Sequence, residues 1–407
     1  MKYEVIIIGG GPAGLMAANQ LEKENIHYLL VEKNDTYGRK LLLTGKKRCN
    51  ITNNLSVRDF IDSLTFQHKK FLYPALKKFG PSEIKSYFEG KGLELILEDN
   101  FKYFPKTGKS LNVLEVLTKE LSEKNIKFNA AVKEIHKNNG FFEVLTKDNI
   151  YQAKYVIVAT GSKSYPSTGS SGDGLNFAQH FDIKYNDFTP AETYVYSKQV
   201  VEEFNQLQGT SISGCHVNIK QLNKSFNGDL LFTHFGLSGP VIMHLSEFIY
   251  QDILLNKKSI IEFGFINQTQ QELYNNLFNQ KDKLLHKVLE LYTNKKIVEV
   301  LLKQLNIQSK KIIEIKKKDL IDICKNFTNY QFIIDKVEDR EKAYVNKGGI
   351  DLKELNPKSM EVSNVSGLYF IGETTDLHGP IGGYNVTIAL STGYLSSHDI
   401  IIKVKNI

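Results

Sequence analysis

An α/β fold built on a parallel sheet, with a long insertion between its parts, is predicted by three stretches of this 407-residue chain. Residues 5–8 are an apolar run that enters Gly9-x-Gly11-x-x-Gly14. Residues 155–159 are another, ending in Thr160-Gly161. Residues 368–371 are a third, ending in Gly372-Glu373-x-x-Asp376 and followed by Gly382-Gly383. Strands covered by helices on both faces lack polar alternation, as these three do.

The first stretch has an order that narrows its purpose. Leu15, Ala18 and Leu21 fall on one face of a helix, and a second apolar strand, 28–31, ends on Glu32, 18 residues past Gly14. Strand, glycine turn, helix, strand and acid in that order make the dinucleotide fingerprint. Gly9 permits the tight turn, Gly11 lets a pyrophosphate approach the backbone, and Gly14 lets helix and strand close up. Pro12 and Ala13 open a helix whose unpaired N–H groups and dipole face the phosphates. Glu32 accepts hydrogen bonds from the adenosine ribose.

Bulk properties bound the rest. Two or three domains are expected at this length, and 41% hydrophobic with 24% charged residues is the composition of a soluble globular protein. No apolar run approaches the ~20 residues that span a bilayer. Met1-Lys2 lead straight into the first strand, so a cytoplasmic protein with no membrane partner is expected. Cys49, Cys215 and Cys324 are far apart, which argues against a disulfide scaffold, a dithiol centre or a zinc ribbon; no metal site is expected. Net charge is +7, and residues 281–325 hold twelve Lys against six acids. That segment reads either as a surface facing nucleic acid or as solvated helix faces, in a chain with 48 Lys but only Arg39, Arg48, Arg58 and Arg340.

Two of those four arginines fall in the loop after Glu32, which also carries Lys33, Lys40, Lys46 and Lys47 and a cluster of Asn and Thr. Placed there, it runs along the dinucleotide toward its reactive end, where a planar bidentate cation holds phosphate or a flavin carbonyl. Helices are expected at 71–79, 81–89 and 113–122, with an aromatic and basic stretch at 101–108. Short strands are expected within 126–145, turning at Asn138-Asn139-Gly140. Residues 162–174 form a Ser- and Gly-rich loop. From about residue 190 short strands suggest a small β domain, a helix starts near Pro240, and 270–327 is helical and lysine-rich. Near Gly348-Gly349 the chain rejoins its first domain. The last motif reads as a strand whose acids, Glu373 and Asp376, bind a ribityl chain. The helix that follows, to about residue 397, aims its N-terminus at the flavin N1–C2=O edge. FAD is the dinucleotide these parts fit.

Gly38-Arg39-Lys40-Leu-Leu-Leu-Thr44-Gly45-x-x-Arg48-Cys49-Asn50-Ile-Thr-Asn53 resembles the signature loop of the BaiN/YhiN-like flavoproteins. Residues 165–174, 231–240, 346–349 and 372–385 also resemble that family, in family order. The resemblance implies a Rossmann-type FAD-binding domain over 1–190 and 345–407. It also implies an inserted β-barrel-like domain over 191–265 and 328–344, and a small lysine-rich helical domain over 266–327. Lys46-Lys47 depart from the family, which usually has small residues or Gly there, and His378 stands at a variable position. Expected FAD contacts are Gly9, Gly11, Pro12, Ala13 and Gly14; Glu32 and Lys33; Arg39, Lys40, Thr44, Arg48, Cys49 and Asn50; and Val132. Ala159, Thr160 and Gly161 join them, as do Gly372, Glu373, Asp376, Gly382, Gly383, Tyr384, Asn385 and Val386.

Family members are linked to reduction of activated C=C bonds in bile-acid-type ketones, to amine oxidation and to reduction of a uridine in large-subunit ribosomal RNA. The leading expectation is hydride transfer from reduced flavin to such a bond, in a ribosomal uridine reached through the basic surface, with a side-chain acid protonating the next carbon. A small-molecule ene-reductase or amine oxidase is the alternative enzyme, and a flavin-dependent sensor without turnover is a third class. Cys49 is the candidate acid, since a thiol of pKa ~8.5 is mostly protonated at neutral pH. Asn50 or Asn53 is a candidate for holding the substrate carbonyl, and His378 is the alternative acid. With a single Gly-x-Gly-x-x-Gly, NAD(P)H is expected as a transient reductant.

Overall fold

The structure, a computed structural model, describes residues 2–99, 101–308 and 310–405. By its internal contacts the chain forms two compact units, Met1–Thr189 with Val345–Ile407, and Pro190–Tyr344. Among the described residues no helix is long and apolar enough to cross a membrane.

The first unit contains β1 (Lys2–Ile8), α1 (Pro12–Lys23), β2 (Tyr28–Val31), α2 (Arg39–Lys47), β3 (Thr52–Asn53), β4 (Leu95–Glu98) and β5 (Lys102–Pro105). It continues with β6 (Ile126–Lys127), β7 (Val132–Asn138), β8 (Phe141–Thr146) and β9 (Ile150–Val158). β1 lies parallel between β2 and β9, with Val5 opposite both Tyr28 and Tyr155. The other side of β9 is shared: Ile150–Ala153 pair with β8, and Val156–Val158 pair in parallel with the strand Leu368–Phe370. All three apolar runs therefore meet in one sheet, where Val5–Ile7, Val156–Val158 and Leu368–Ile371 have no exposed surface. β7 and β8 are joined through Asn139 and Gly140, both at positive φ (50° and 81°), as a tight two-residue hairpin requires. The helix Tyr384–Lys405 packs on α1 so closely that a Cβ on Gly393 would stand 2.3 Å from the Ala13 carbonyl oxygen. It runs a further two turns past residue 397.

The cation-rich segment after Glu32 is not all loop. Arg-Lys-Leu-Leu-Leu are strong helix formers, Leu41 is buried, and α2 forms until it kinks at Thr44. The aromatic and basic stretch at 101–108 supplies β5, the middle strand of a small antiparallel sheet with β3 and β4.

The second unit carries a seven-stranded sheet in the order Tyr330–Ile334, Ser259–Phe263, Ser211–Ile219, Lys224–Phe232, Gly236–Ser238, Val195–Tyr196, Lys336–Val337. Its two edge strands come from one continuous piece of chain, 330–337, so the sheet curls back on itself as a barrel does. Phe263 and Phe332 stack at 4.7 Å in its core. The helices of 266–327 bury Leu273, Leu277, Val288, Val298, Leu301 and Phe327 in that same core. The helical division expected from the sequence is thus a layer of this unit, because its apolar faces have the barrel as their partner.

Candidate active site

The glycine turn shows where space is required. A Cβ on Gly9 (φ +109°) would lie 2.5 Å from the Ala159 carbonyl oxygen, and one on Gly14 would lie 2.0 Å from that of Gly9. At Gly11 a Cβ would meet nothing within 4 Å. The first and third glycines are closed by backbone; the second opens outward. α1 begins there with Pro12 in its first turn and no side-chain cap, leaving its first N–H groups for a ligand. Glu32 is fixed beside the turn, one carboxylate oxygen accepting from Gly10 N at 2.7 Å and the other from Asn34 N and Nδ2, both at 2.8 Å. Ala130 N donates to the Glu32 carbonyl (3.0 Å), bringing the start of β7, with Val132, alongside. The Thr160 hydroxyl is buried without a hydrogen-bond partner among the described residues. Open space at one glycine, an uncapped helix start and an unsatisfied buried hydroxyl fit an FAD pyrophosphate.

Beyond this turn the structure joins residues far apart in sequence. Lys40 pairs with Glu373 and bonds Ser170 Oγ at 3.0 Å, and the Ser162 hydroxyl donates to Glu373 at 3.2 Å. Gly161 N donates to Thr374 Oγ1 at 3.0 Å. Lys33 pairs with Asp173 at 2.8 Å and also bonds Ser171. The Ser-rich loop is thereby tied to the cations that follow β2. Ser162 and Ser170 belong to the Ser-rich loop that the sequence marks as capable of phosphate or substrate contact, without singling either out; Thr374 is a member of this cluster that sequence reasoning missed.

Three of the expected contact residues have protein partners. Arg39 pairs with Asp35 at 2.6 Å, one turn before it. Arg48 pairs with Glu98 and covers the Phe104 ring at 4.4 Å. Asp376 accepts from Gly348 N at 3.0 Å and from Asn186 Nδ2 at 2.8 Å, bracing neighbouring backbone.

The far end of the site is a turn held by asparagines. With its amide oriented to suit its neighbours, Asn50 donates to Tyr103 O (3.1 Å) and Thr52 O (2.8 Å) and accepts from Gly383 N (3.0 Å). Asn53 Nδ2 donates to Gly382 O at 3.3 Å, and Asn385 brackets Gly379 by its N (2.9 Å) and its O (2.7 Å). Gly383 (φ +82°) must be glycine, since a Cβ would sit 2.6 Å from the Thr52 backbone. Tyr384 packs on Phe60 at 4.7 Å, and Val386 is half-buried against the core. These contacts fix the start of the 22-residue helix Tyr384–Lys405 and so the direction of its positive end. His378, 4% exposed, lies 5.2 Å from the Phe66 ring. Asn50 thus holds protein backbone, and Cys49, expected as an acid, has no exposed surface. Burial pushes its thiol up to about 12, opposed only by a hydrogen bond involving Thr44, which leaves it a neutral thiol. The sequence showed a cysteine in the right loop but not its depth.

A parallel sheet, a glycine turn and an acid fixed beside that turn, with a second strand–helix pair at its rim, define a Rossmann-type FAD-dependent oxidoreductase. The chain belongs to the HI0933-like family, whose model, described as HI0933-like protein Rossmann domain, matches residues 3–399. It is 30% identical to a Haemophilus influenzae protein named ribosomal RNA dihydrouridine synthase, with 96% of each chain covered. It is 26% identical to the 3-dehydro-bile acid delta(4,6)-reductase of Clostridium scindens, covering 96% of this chain and 97% of that one. In fold it is similar to a 3-ketosteroid-delta4-(5alpha)-dehydrogenase from Rhodococcus jostii RHA1, with a TM-score of 0.54 at 12% identity, covering 98% and 97% of the two chains.

Proposed function

We propose that this flavoenzyme reduces the C5–C6 double bond of a uridine in large-subunit ribosomal RNA. The observation that carries the reading is whole-length similarity to a protein named for that reaction. The relative named as a bile-acid reductase supports the coarser chemistry, addition of hydrogen across an activated C=C bond. The net change is one hydride to C6 and one proton to C5, with NAD(P)H oxidised to NAD(P)+. FAD, when bound, supplies the hydride chemistry. The chain's residues do the rest: the α1 N-terminus holds the pyrophosphate, Glu32 the ribose, and Lys40 with Glu373 the ribityl side. The asparagine-held turn sets the helix end that faces the flavin.

Of the two candidate acids, a buried thiol with a pKa near 12 is poorly matched to proton donation at neutral pH. His378 is the donor in this reading and Cys49 is packing. His378→Asn is expected to lower kcat by ~10²–10⁴-fold with flavin content intact, and Cys49→Ala to stay within tenfold; the opposite pattern returns the role to Cys49. The primary test is incubation of the purified holoprotein with NAD(P)H and deproteinised large-subunit ribosomal RNA, followed by mass spectrometry for a uridine heavier by about 2 Da. No such uridine, with turnover of small enones instead, moves the assignment to a small-molecule ene-reductase.

A further inference from the structure

Three successive residues at the kink of α2 are left-handed: Gly45 at φ +56°, Lys46 at φ +56° and ψ 46°, and Lys47 at φ +69°. Single left-handed residues are routine for glycine, whereas a run that includes two lysines is disfavoured, because the L side chain crowds the following carbonyl. The turn is locked by Arg48 N donating to Gly45 O at 3.2 Å and Cys49 N to Thr44 O at 3.1 Å. No packing calls for side chains there, since Lys46 and Lys47 are both exposed. Their neighbour Arg48 is neutralised by Glu98, while no ion pair is formed by Lys46 or Lys47 among the described residues. Backbone strain of this kind, held in place by its surroundings, marks positions kept for what they contact. The same segment leads within three residues to Asn50, which is bonded to Gly383 at the start of the helix Tyr384–Lys405. Two unpaired cations are therefore set on a rigid turn beside the reactive end of the site.

We infer that Lys46 and Lys47 form a phosphate-binding site for the RNA strand that carries the target base; this rests on the RNA reading above. The test compares the wild-type holoprotein with Lys46→Gly/Lys47→Gly and Lys46→Asn/Lys47→Asn. Both replacements suit positive φ, and the asparagine pair controls for added backbone freedom. Binding of a deproteinised ribosomal RNA fragment is measured across a salt series, alongside flavin per chain and melting temperature. Both variants are expected to keep their flavin, to melt no lower than wild type, and to bind RNA at least tenfold more weakly at low salt. Their plot of log affinity against log salt should be shallower by ~1.4, for two phosphates on a single strand. Unchanged affinity and slope would overturn the site and leave the RNA reading standing; lost flavin with a lowered melting temperature would show a structural role instead. A wild-type protein that binds no RNA sinks both.

Discussion

Gly11 and Gly14 are three residues apart and sit in opposite surroundings, which makes them a paired test of the cofactor site. Gly14→Ala drives a methyl into the Gly9 carbonyl and is expected to cost ~1–3 kcal/mol, read as a lower melting temperature. Gly11→Ala meets open space, so its stability without cofactor should hold while flavin affinity falls at least tenfold. Both were legible in the sequence, because a glycine's task follows from its place in the fingerprint. Burial of the thiols was not. Cys49, Cys215 and Cys324 are all buried, which pushes each up to about 12. A folded pKa above the unfolded ~8.5 gives stability that is complete below pH ~8.5 and drains as pH rises toward 12. Denaturant midpoints should accordingly fall steadily from pH 8.5 to 10, each thiol contributing up to ~1.4 kcal/mol per pH unit. A thiol reagent at pH 8 should label none of the three until the chain unfolds.

At the level of elements, the sequence pattern foretold the apolar parallel strands of the first unit, but not strands such as Ser259–Phe263 and Tyr330–Ile334 of the second, and it failed where a local run was overruled by tertiary contacts. β3 has two residues and no pattern; it exists because Thr52 and Asn53 pair with β5. Asn50 then bonds Tyr103 O, Thr52 O and, across the turn, Gly383 N, and Asn50→Ala removes all three side-chain bonds at once. A loss of ~1–3 kcal/mol is expected, with weakened flavin binding, since the turn that starts the helix Tyr384–Lys405 is released. In the second unit, Tyr194 and Tyr196 donate to Glu338, whose side chain is 1% exposed. Burial alone would raise that carboxyl, but the hydrogen bonds from Tyr194, Asp339 N and Tyr196, with Lys342 nearby, hold it below its usual range. A lowered folded pKa gives stability present above the unfolded ~4.3 and lost as pH falls through the folded value. Tyr194→Phe should therefore melt below wild type at pH 7, with the gap narrowing under pH ~4; a gap independent of pH would refute the charge as its source.

Across the whole molecule, the discontinuous FAD-binding unit was legible because two distant motifs, each with a buried strand ending in glycine and an acid, belong to one kind of sheet. Pairs such as Lys40 with Glu373, 333 positions apart, were not, since no local pattern specifies a partner at that range. The contact of Gly393 with Ala13 belongs to the same class, and it bears on how the protein is made. A ribosome delivers residues 190–344, with a core of their own, before it has delivered the strand and helix that complete the sheet begun at Lys2. Until then β9 offers the bare edge that Leu368–Phe370 will occupy, and α1 lacks the surface it rests on. The sheet begun at Lys2 is therefore completed only after the whole second unit, residues 190–344, has been made.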